Sequence, residues 1–230
     1  MMNLKNREKS LPEKLSEDII DFILSENLKS GDKLPNESTL SEKLDASRST
    51  VREAMKLLAS RNIISIKQGS GTYISKTPGV VDDPLGFIFI DDKNKLINDL
   101  MDIRFMLQPS IAELAAINAT EEDIKKITSL CNEVEEKLLN GEDHTELDVE
   151  FHKAISLSSK NVVVPRLIPV IHNAIPLFIQ STGNILKKET IETHRDIANA
   201  IAEHNPIKAK DAMYLHLVYN RFYIKKLTEE

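Results

Sequence analysis

The chain has 230 residues, of which 41% are hydrophobic and 29% are charged, with no Trp and a formal net charge of −6. This composition is typical of a helix-rich globular protein and argues against a fibrous or low-complexity chain. The longest apolar stretch, residues 162–179, is interrupted by Arg166, His172 and three prolines, and the N-terminal MMNLKNREKS has no apolar core. We therefore expect a cytoplasmic protein with neither a membrane span nor an export signal.

The charge is unevenly distributed, with a net of +2 over residues 1–76 and −8 over residues 77–230. Because nucleic acid is polyanionic, only the N-terminal third is electrostatically suited to approach DNA. The single cysteine, Cys131, cannot form an intramolecular disulfide and follows Leu130 in a helical pattern. We expect it to be a buried free thiol.

Three helical patterns follow one another at the start of the chain. The first covers residues 11–28 and is expected to end near Gly31, a residue that suits a helix C-terminus. Asn36 and Ser47 are suited to begin the second and third helices, because their side-chain oxygens can accept a hydrogen bond from a free backbone N–H. A tight turn at Asp45 joins these two helices, which predicts a helix-turn-helix.

A two-stranded wing is predicted after the third helix. Residues 63–66 show the alternating apolar and polar pattern of a strand. Residues 68–71 supply a turn, and residues 72–74 are predicted to form the second strand. Residues 1–76 are therefore predicted to form a winged helix-turn-helix domain.

The start of the third helix carries side chains suited to DNA. Arg48 and Arg52 share one face, and the N-terminus of a helix favours a phosphate. Arginine can also donate two hydrogen bonds to guanine. Short donors lie beside the two arginines: Ser47, Ser49 and Thr50. The alternative is a solvated helix whose arginines pair with Glu42 or Glu53.

Residues 31–74 contain three motifs in order: L-P-x-E, S-R-x-T-V-R-E-A and G-x-G-T-Y. With these motifs the segment resembles the winged helix-turn-helix of the GntR family of bacterial transcription repressors. The resemblance implies that the recognition helix and the wing tip contact DNA. The implied DNA-binding residues are Ser47, Arg48, Thr50, Arg52, Gln68 and Gly69.

Three positions depart from the pattern of that family. Ser38 stands where many members have an arginine that reaches DNA, so one contact is expected to differ. Asp45 and Asn62 replace frequent glycines. Both residue types tolerate left-handed backbone, so the fold is expected to be retained.

Residues 77–86 are expected to form a linker, because Pro, Gly and paired Asp interrupt all periodicity there. In residues 87–230, apolar side chains at spacings of three and four predict an all-helical antiparallel bundle of about six helices, so the protein as a whole is mainly α. The predicted helices cover residues 96–119, 121–140, 146–159, 162–181, 187–205 and 207–227. Prolines at 165, 169 and 176 should kink the fourth of them.

Candidate metal ligands lie within the predicted bundle. Asp148 precedes His152 by four residues, so both share one helix face. Three more histidines lie among apolar residues on other predicted helices: His172, His194 and His216. Each alone is more typical of a hydrogen-bonded core histidine, but together with the Asp/His pair they form a borderline donor set that suits Zn, Ni, Co, Mn or Fe. His144 and His204 lie in polar contexts and are expected to be solvated.

The same region carries a second set of motifs: R-x2-L at Arg104 followed by AELAA, D-V-E-F-H at 148–152, H-R-D-I-A-N-A-I at 194–201 and M-Y-L-H at 213–216. With these motifs it is similar to the FCD effector-binding domain of FadR-type GntR regulators. The resemblance implies a divalent cation, with Zn or Ni favoured, and a small carboxylate effector that completes its coordination. The implied metal ligands are Asp148, His152, His194 and His216, and the implied effector-binding residue is Arg104. From its own position, His172 is expected either to line the effector pocket or to pack in the core.

Ligand imidazoles need hydrogen-bond partners on their far nitrogens. The candidates from the sequence are Glu150, Asn173 and Asp196. Arg104 is suited to a two-pronged contact with a carboxylate, and its alternative is an ion pair with Asp102 or Glu113.

Three functions are compatible with these patterns. The first is a homodimeric repressor that binds a palindromic operator and responds to a small carboxylate metabolite. The second is a sensor in which the cation itself is the signal, and the third is a metalloenzyme fused to a DNA-binding module. We expect no enzyme, because no nucleophile elbow or phosphate-binding loop is recognisable.

Overall fold

The computed structural model describes three stretches of the chain: residues 9–81, 83–172 and 186–228. The chain divides into two compact units, Met1–Asp82 and Asp83–Glu230, and the division falls within residues 77–86. In the described stretches no helix combines the length and the apolar character needed to cross a membrane.

The first unit contains three helices and one hairpin. They are α1 (Leu11–Ser25), α2 (Glu37–Lys43), α3 (Arg48–Ser60), β1 (Ile64–Lys67) and β2 (Gly71–Ile74). The strands pair antiparallel, with Ile64 opposite Ile74 and Lys67 opposite Gly71. This is the winged helix-turn-helix that the sequence predicts.

Both predicted helix caps are present. Asn36 Oδ1 accepts a hydrogen bond from the backbone N–H of Thr39 at 2.9 Å, and Ser47 Oγ accepts one from Thr50 at 3.1 Å. α3 packs against α1 and α2. Its apolar face is buried in a core whose most enclosed side chains are Ile19, Leu40, Val51, Leu58 and Ile64. This packing leaves the N-terminal turn of α3 in solvent.

Three residues in the described part of this unit combine a side chain with a left-handed backbone: Asn27, Asp45 and Asn62, with φ of 54°, 47° and 51°. Asn27 lies just past the end of α1 at Ser25, so the prediction that this helix reaches residue 28 was wrong. Asp45 and Asn62 adopt the backbone that the sequence predicted for them.

The second unit is helical throughout its described residues. After a 3-10 turn (Phe87–Phe89) come α4 (Lys93–Asn118), α5 (Glu121–Asn140), α6 (Thr145–Ser158), α7 (Val164–His172), α8 (Lys187–Ala202) and α9 (Pro206–Thr228). The mainly α fold class is therefore confirmed. The described part of the fourth predicted helix begins at Val164 rather than at residue 162. Its predicted continuation past His172, including Pro176, lies outside the described residues.

The bundle is held together by α4 and α9, which pack against each other, and by α8, which contacts both. α6 packs against α4, α5 and α7. A shared core of almost fully enclosed side chains includes Phe151, Ile155, Ile197, Ile201 and Met213. Helices α6, α8 and α9 are thereby brought close enough for polar side chains on their inner faces to meet.

Candidate metal centre and nucleic-acid interface

The exposed start of α3 is tied to α2 by its two arginines. Arg52 donates to both carboxylate oxygens of Glu37, from Nη2 at 2.7 Å and from Nε at 3.1 and 3.2 Å. These hydrogen bonds hold the pKa of Glu37 below its usual value. Arg48 Nη2 donates to Ser38 Oγ at 2.7 Å. Both arginines are exposed, and in this structure each is bonded to a residue of α2.

The partner of Arg52 differs from those named in the alternative interpretation of this helix. The sequence offered Glu42 or Glu53 as alternative partners of the arginines, whereas Arg52 pairs with Glu37. Ser38 is a partner of Arg48 within the protein, which is a use for that position that the sequence did not indicate.

Two cations that the sequence analysis did not single out lie against the hairpin, Lys67 within it and Lys33 from the segment before α2. Gln68 and Gly69 lie in the turn between β1 and β2, where Gly69 has φ of 73°. The ammonium groups of Lys33 and Lys67 lie over the ring of Tyr73, at 5.8 and 5.0 Å from its centroid. Lys33 is forty residues from Tyr73 in the sequence, so no local pattern indicated that its ammonium group would lie on this ring, whose face attracts cations.

Three predicted ligands meet inside the second unit. His152 of α6, His194 of α8 and His216 of α9 each offer a ring nitrogen, and these nitrogens all lie within 4.8 Å of one another. The three side chains are 1–3% exposed. One ion placed among the nitrogens would be enclosed by protein on several sides.

The fourth predicted ligand, Asp148, lies beside two of these imidazoles. Its Oδ1 is 3.4 Å from His194 Nε2 and its Oδ2 is 3.8 Å from His152 Nε2. Burial raises the pKa of Asp148 to about 7, and the positive charge of Arg104 opposes that rise. The structure therefore brings all four predicted ligands together.

The donor set fits a divalent cation. Both ring nitrogens of His194 are buried and have no hydrogen-bond partner among the described residues, an arrangement that is rare in native proteins. Burial lowers the pKa of His194 to about 3 and that of His216 well below its usual value, so these imidazoles are neutral, as metal binding requires. Phe151 stacks on His194, with ring centroids 4.4 Å apart, and fixes the plane of that ring.

His216 has partners that the sequence analysis missed. Its Nδ1 lies 3.0 Å from Thr193 Oγ1, and its Nε2 lies 3.1 Å from Asn220 Nδ2. Asn220 was open to prediction, since it lies one helical turn after His216, whereas Thr193 lies on another helix and spacing gave no signal for it. Of the partners proposed from the sequence, Glu150 pairs with a lysine on its own helix, Asp196 is exposed, and Asn173 lies outside the described residues.

Arg104 is 1% exposed and donates from Nε to Gln108 Oε1 at 3.1 Å. Burial lowers the pKa of Arg104 to about 10, and the nearby charge of Asp148 opposes that shift. Its alternative partner Glu113 instead pairs with Lys210 at 2.8 Å. A guanidinium is therefore held next to the cluster in a desolvated environment.

The remaining predictions about histidines concern His144, His204 and His172. His144 was expected to be solvated, but it is 6% exposed, because it immediately precedes α6 and is enclosed there. His204 is exposed, as expected, and its Nδ1 lies 2.8 Å from the carbonyl oxygen of Ala116. His172 ends the described part of α7, and its side chain lies outside the described residues, so its role stays a prediction.

A winged helix-turn-helix whose recognition helix presents arginines, followed by a helical domain with a buried histidine cluster, defines a DNA-binding transcription regulator. Residues 11–74 match the family described as bacterial regulatory proteins, gntR family, and residues 99–219 match the FCD domain. The chain belongs to the GntR family of transcription regulators, and its second unit contains an FCD domain.

Several relatives align over almost their whole length. The chain is 33% identical to the Uxu operon regulator of Haemophilus influenzae, over 94% of this chain and 82% of that protein. It is 31% identical to the Glc operon transcriptional activator of Escherichia coli K12, over 93% and 89%. The solved structure of Streptococcus agalactiae GntR is 41% identical and has a TM-score of 0.81, with coverage of 92% and 99%. Each of these is named as a regulator or as a member of this family.

Proposed function

We propose that the protein is a repressor that binds a palindromic operator as a homodimer and is controlled by a small carboxylate held at a divalent cation in the FCD domain. The observation that carries the proposal is the convergence of three buried imidazoles and Asp148 from three helices. Burying the two ring nitrogens of His194 without a hydrogen-bond partner among the described residues is unfavourable for the protein alone, and a bound cation would offset that cost.

On the DNA side, the proposal assigns contacts to the start of α3 and to the wing tip. Arg48 and Arg52 already lie at the solvent face, where they can reach phosphate or guanine. The proposed contact residues are Ser47, Arg48, Thr50, Arg52, Gln68 and Gly69. A homodimer with two such domains would require two half-sites in inverted orientation, hence a palindromic operator.

In the FCD domain, the proposed ligands are Asp148, His152, His194 and His216. A bound cation would supply positive charge and open coordination positions for a carboxylate oxygen, and three imidazoles with one carboxylate favour Zn or Ni. Arg104 would donate hydrogen bonds to the same carboxylate. Its desolvated position strengthens such a contact, because little water remains to compete for the guanidinium.

The decisive experiment compares three states of the full-length protein on a duplex selected from random-sequence DNA. They are chelator-treated, Zn-loaded, and Zn-loaded with a panel of small carboxylates, with binding followed by fluorescence anisotropy. We expect a carboxylate to release the DNA from the loaded protein and to have no effect on the chelated protein. Release by the carboxylate from chelated protein would contradict the proposal.

Two variants on α6 distinguish the loss of a proposed metal ligand from a general effect of changing this helix. Asp148→Ala should lose the carboxylate response, whereas Glu150→Ala, an exposed change on the same helix, should retain it. Release by the cation alone, with no further effect of any carboxylate, would support the metal-sensor function instead.

A reporter gene behind the selected operator then tests repression, because a rise in expression on deleting the regulator identifies a repressor and a fall identifies an activator.

A further inference from the structure

His216 is held at both ring nitrogens by side chains from two helices. Thr193 of α8 contacts Nδ1 at 3.0 Å, and Asn220 of α9 contacts Nε2 at 3.1 Å. Thr193 and His216 are each 3% exposed, so water contributes little at this position. The neighbouring His194 has no such partner on either nitrogen within the described residues. His216 is thus held differently from the ligand beside it.

The hydrogen atoms in this chain of contacts can be assigned. The hydroxyl of Thr193 donates to the carbonyl oxygen of Glu189 at 2.7 Å, one turn earlier on α8. With its only proton used in that donation, Thr193 Oγ1 would accept from His216, which places the ring proton on Nδ1. Asn220 Nδ2 is a donor, so the opposite nitrogen, Nε2, must offer its lone pair. One tautomer, with the proton on Nδ1, satisfies both contacts.

We propose that Thr193 is a positioning residue that fixes His216 as the Nδ1–H tautomer with Nε2 as the metal donor, and that the Asn220 amide covers this lone pair until a cation displaces it. The inference rests on the proposed metal centre for its functional meaning. A ligand imidazole with a fixed tautomer loses less freedom on binding and gains basicity from its acceptor. The amide acts in the opposite direction, since its hydrogen bond must be broken before Nε2 can bind.

The two side chains should therefore shift cation affinity in opposite directions. Thr193→Val keeps the shape but removes the acceptor, and loss of such a partner weakens metal affinity by about 10-fold to 100-fold. Thr193→Ser keeps the hydroxyl and should bind close to the original affinity. Asn220→Ala removes the competing hydrogen bond and should tighten binding by roughly twofold to tenfold, the equivalent of one hydrogen bond.

The tautomer can be observed without any metal. In full-length protein labelled with 15N-histidine and treated with chelator, long-range 15N–1H correlation spectra should show a protonated Nδ1 and a bare Nε2 on His216. Thr193→Val should add the other tautomer. Competition of Zn against a chromophoric chelator then measures affinity for each variant, and circular dichroism verifies that each is folded.

The outcomes separate the inference from the proposed function. A bare Nδ1 in the metal-free protein, or equal Zn affinity for folded Thr193→Val and the original protein, overturns the inference while leaving the metal centre intact. If the predicted tautomer is observed but the original protein takes up no Zn, the proposed metal centre fails and the hydrogen-bond assignment survives. Weaker binding by Thr193→Val, recovery in Thr193→Ser and tighter binding by Asn220→Ala together support the inference.

Discussion

Glycine substitutions at Asp45 and Asn62 should change the stability of the first unit by different amounts, although both residues have a left-handed backbone. Asp45 is exposed in the turn before α3. Asn62 instead connects the end of α3 to the chain after β2, because its Nδ2 donates to the carbonyl oxygens of Thr77 and Val80 and its Oδ1 accepts from Ser75 Oγ at 2.9 Å. Asp45→Gly changes the backbone preference alone, whereas Asn62→Gly also removes these hydrogen bonds.

The expected change in the free energy of unfolding follows from these contacts. Glycine relieves the left-handed conformation but increases the entropy of the unfolded chain, and these opposing effects leave Asp45→Gly within about 1 kcal/mol of the original stability. The same balance applies to Asn62→Gly, but three hydrogen bonds are also lost. At roughly 0.5–1.5 kcal/mol each, discounted because Asn62 is only half-buried, the first unit should lose about 2 kcal/mol.

Native-state hydrogen exchange on the full-length protein measures this loss where it occurs. The amides of the buried α3 residues Val51 and Leu58 are expected to exchange slowly and to report the opening of the first unit without requiring the two units to unfold together. Asn62→Gly should lower their protection by about 2 kcal/mol, while Asp45→Gly changes it little. Equal changes for both variants would show that the side-chain contacts of Asn62 do not stabilise the unit.

Further outcomes can be checked with the same protein. Arg48→Ala and Arg52→Ala should each reduce the salt dependence of DNA binding by about one ion while the Zn content stays unchanged, and a loss of Zn would show that the domain roles are misassigned. Asp148→Ala should abolish the carboxylate response in an anisotropy titration before it affects operator affinity, and equal loss of both would argue against separate roles. Burial raises the pKa of Cys131 to about 11, so a thiol reagent at pH 8 should label it only as fast as the bundle opens; rapid labelling of the native protein would contradict its burial.

Much of the winged domain follows from local signals. The capping positions Asn36 and Ser47 have side chains that satisfy free N–H groups, and the left-handed positions Asp45 and Asn62 carry residue types that accept that backbone. Both signals are confined to a few neighbouring residues. The end of α1 was misplaced because Asn27 competes with Gly31 as a terminator, and residue types alone do not rank the two.

The candidate centre was predictable only in part. Asp148 and His152 share a helix face, which spacing reveals, but their approach to His194 and His216 depends on how three helices pack. Pairings that cross between helices, such as Arg52 with Glu37 or Thr193 with His216, have no signature in spacing along one helix. His144 was misjudged for the same reason, because polar neighbours in the sequence do not show which side of the chain the bundle covers.

Because the cluster draws its donors from three helices, the proposed cation would also affect the lifetime of the protein in the cell. These donors come from α6, α8 and α9, so the unfolded chain holds no preformed site, and the proposed cation would bind only the folded form. A cation at 100 times its Kd would stabilise the native protein by about 2.7 kcal/mol. Metal starvation would then expose more of the population to proteases and lower the amount of regulator, so that target genes respond to metal supply through protein turnover even when the carboxylate level is constant.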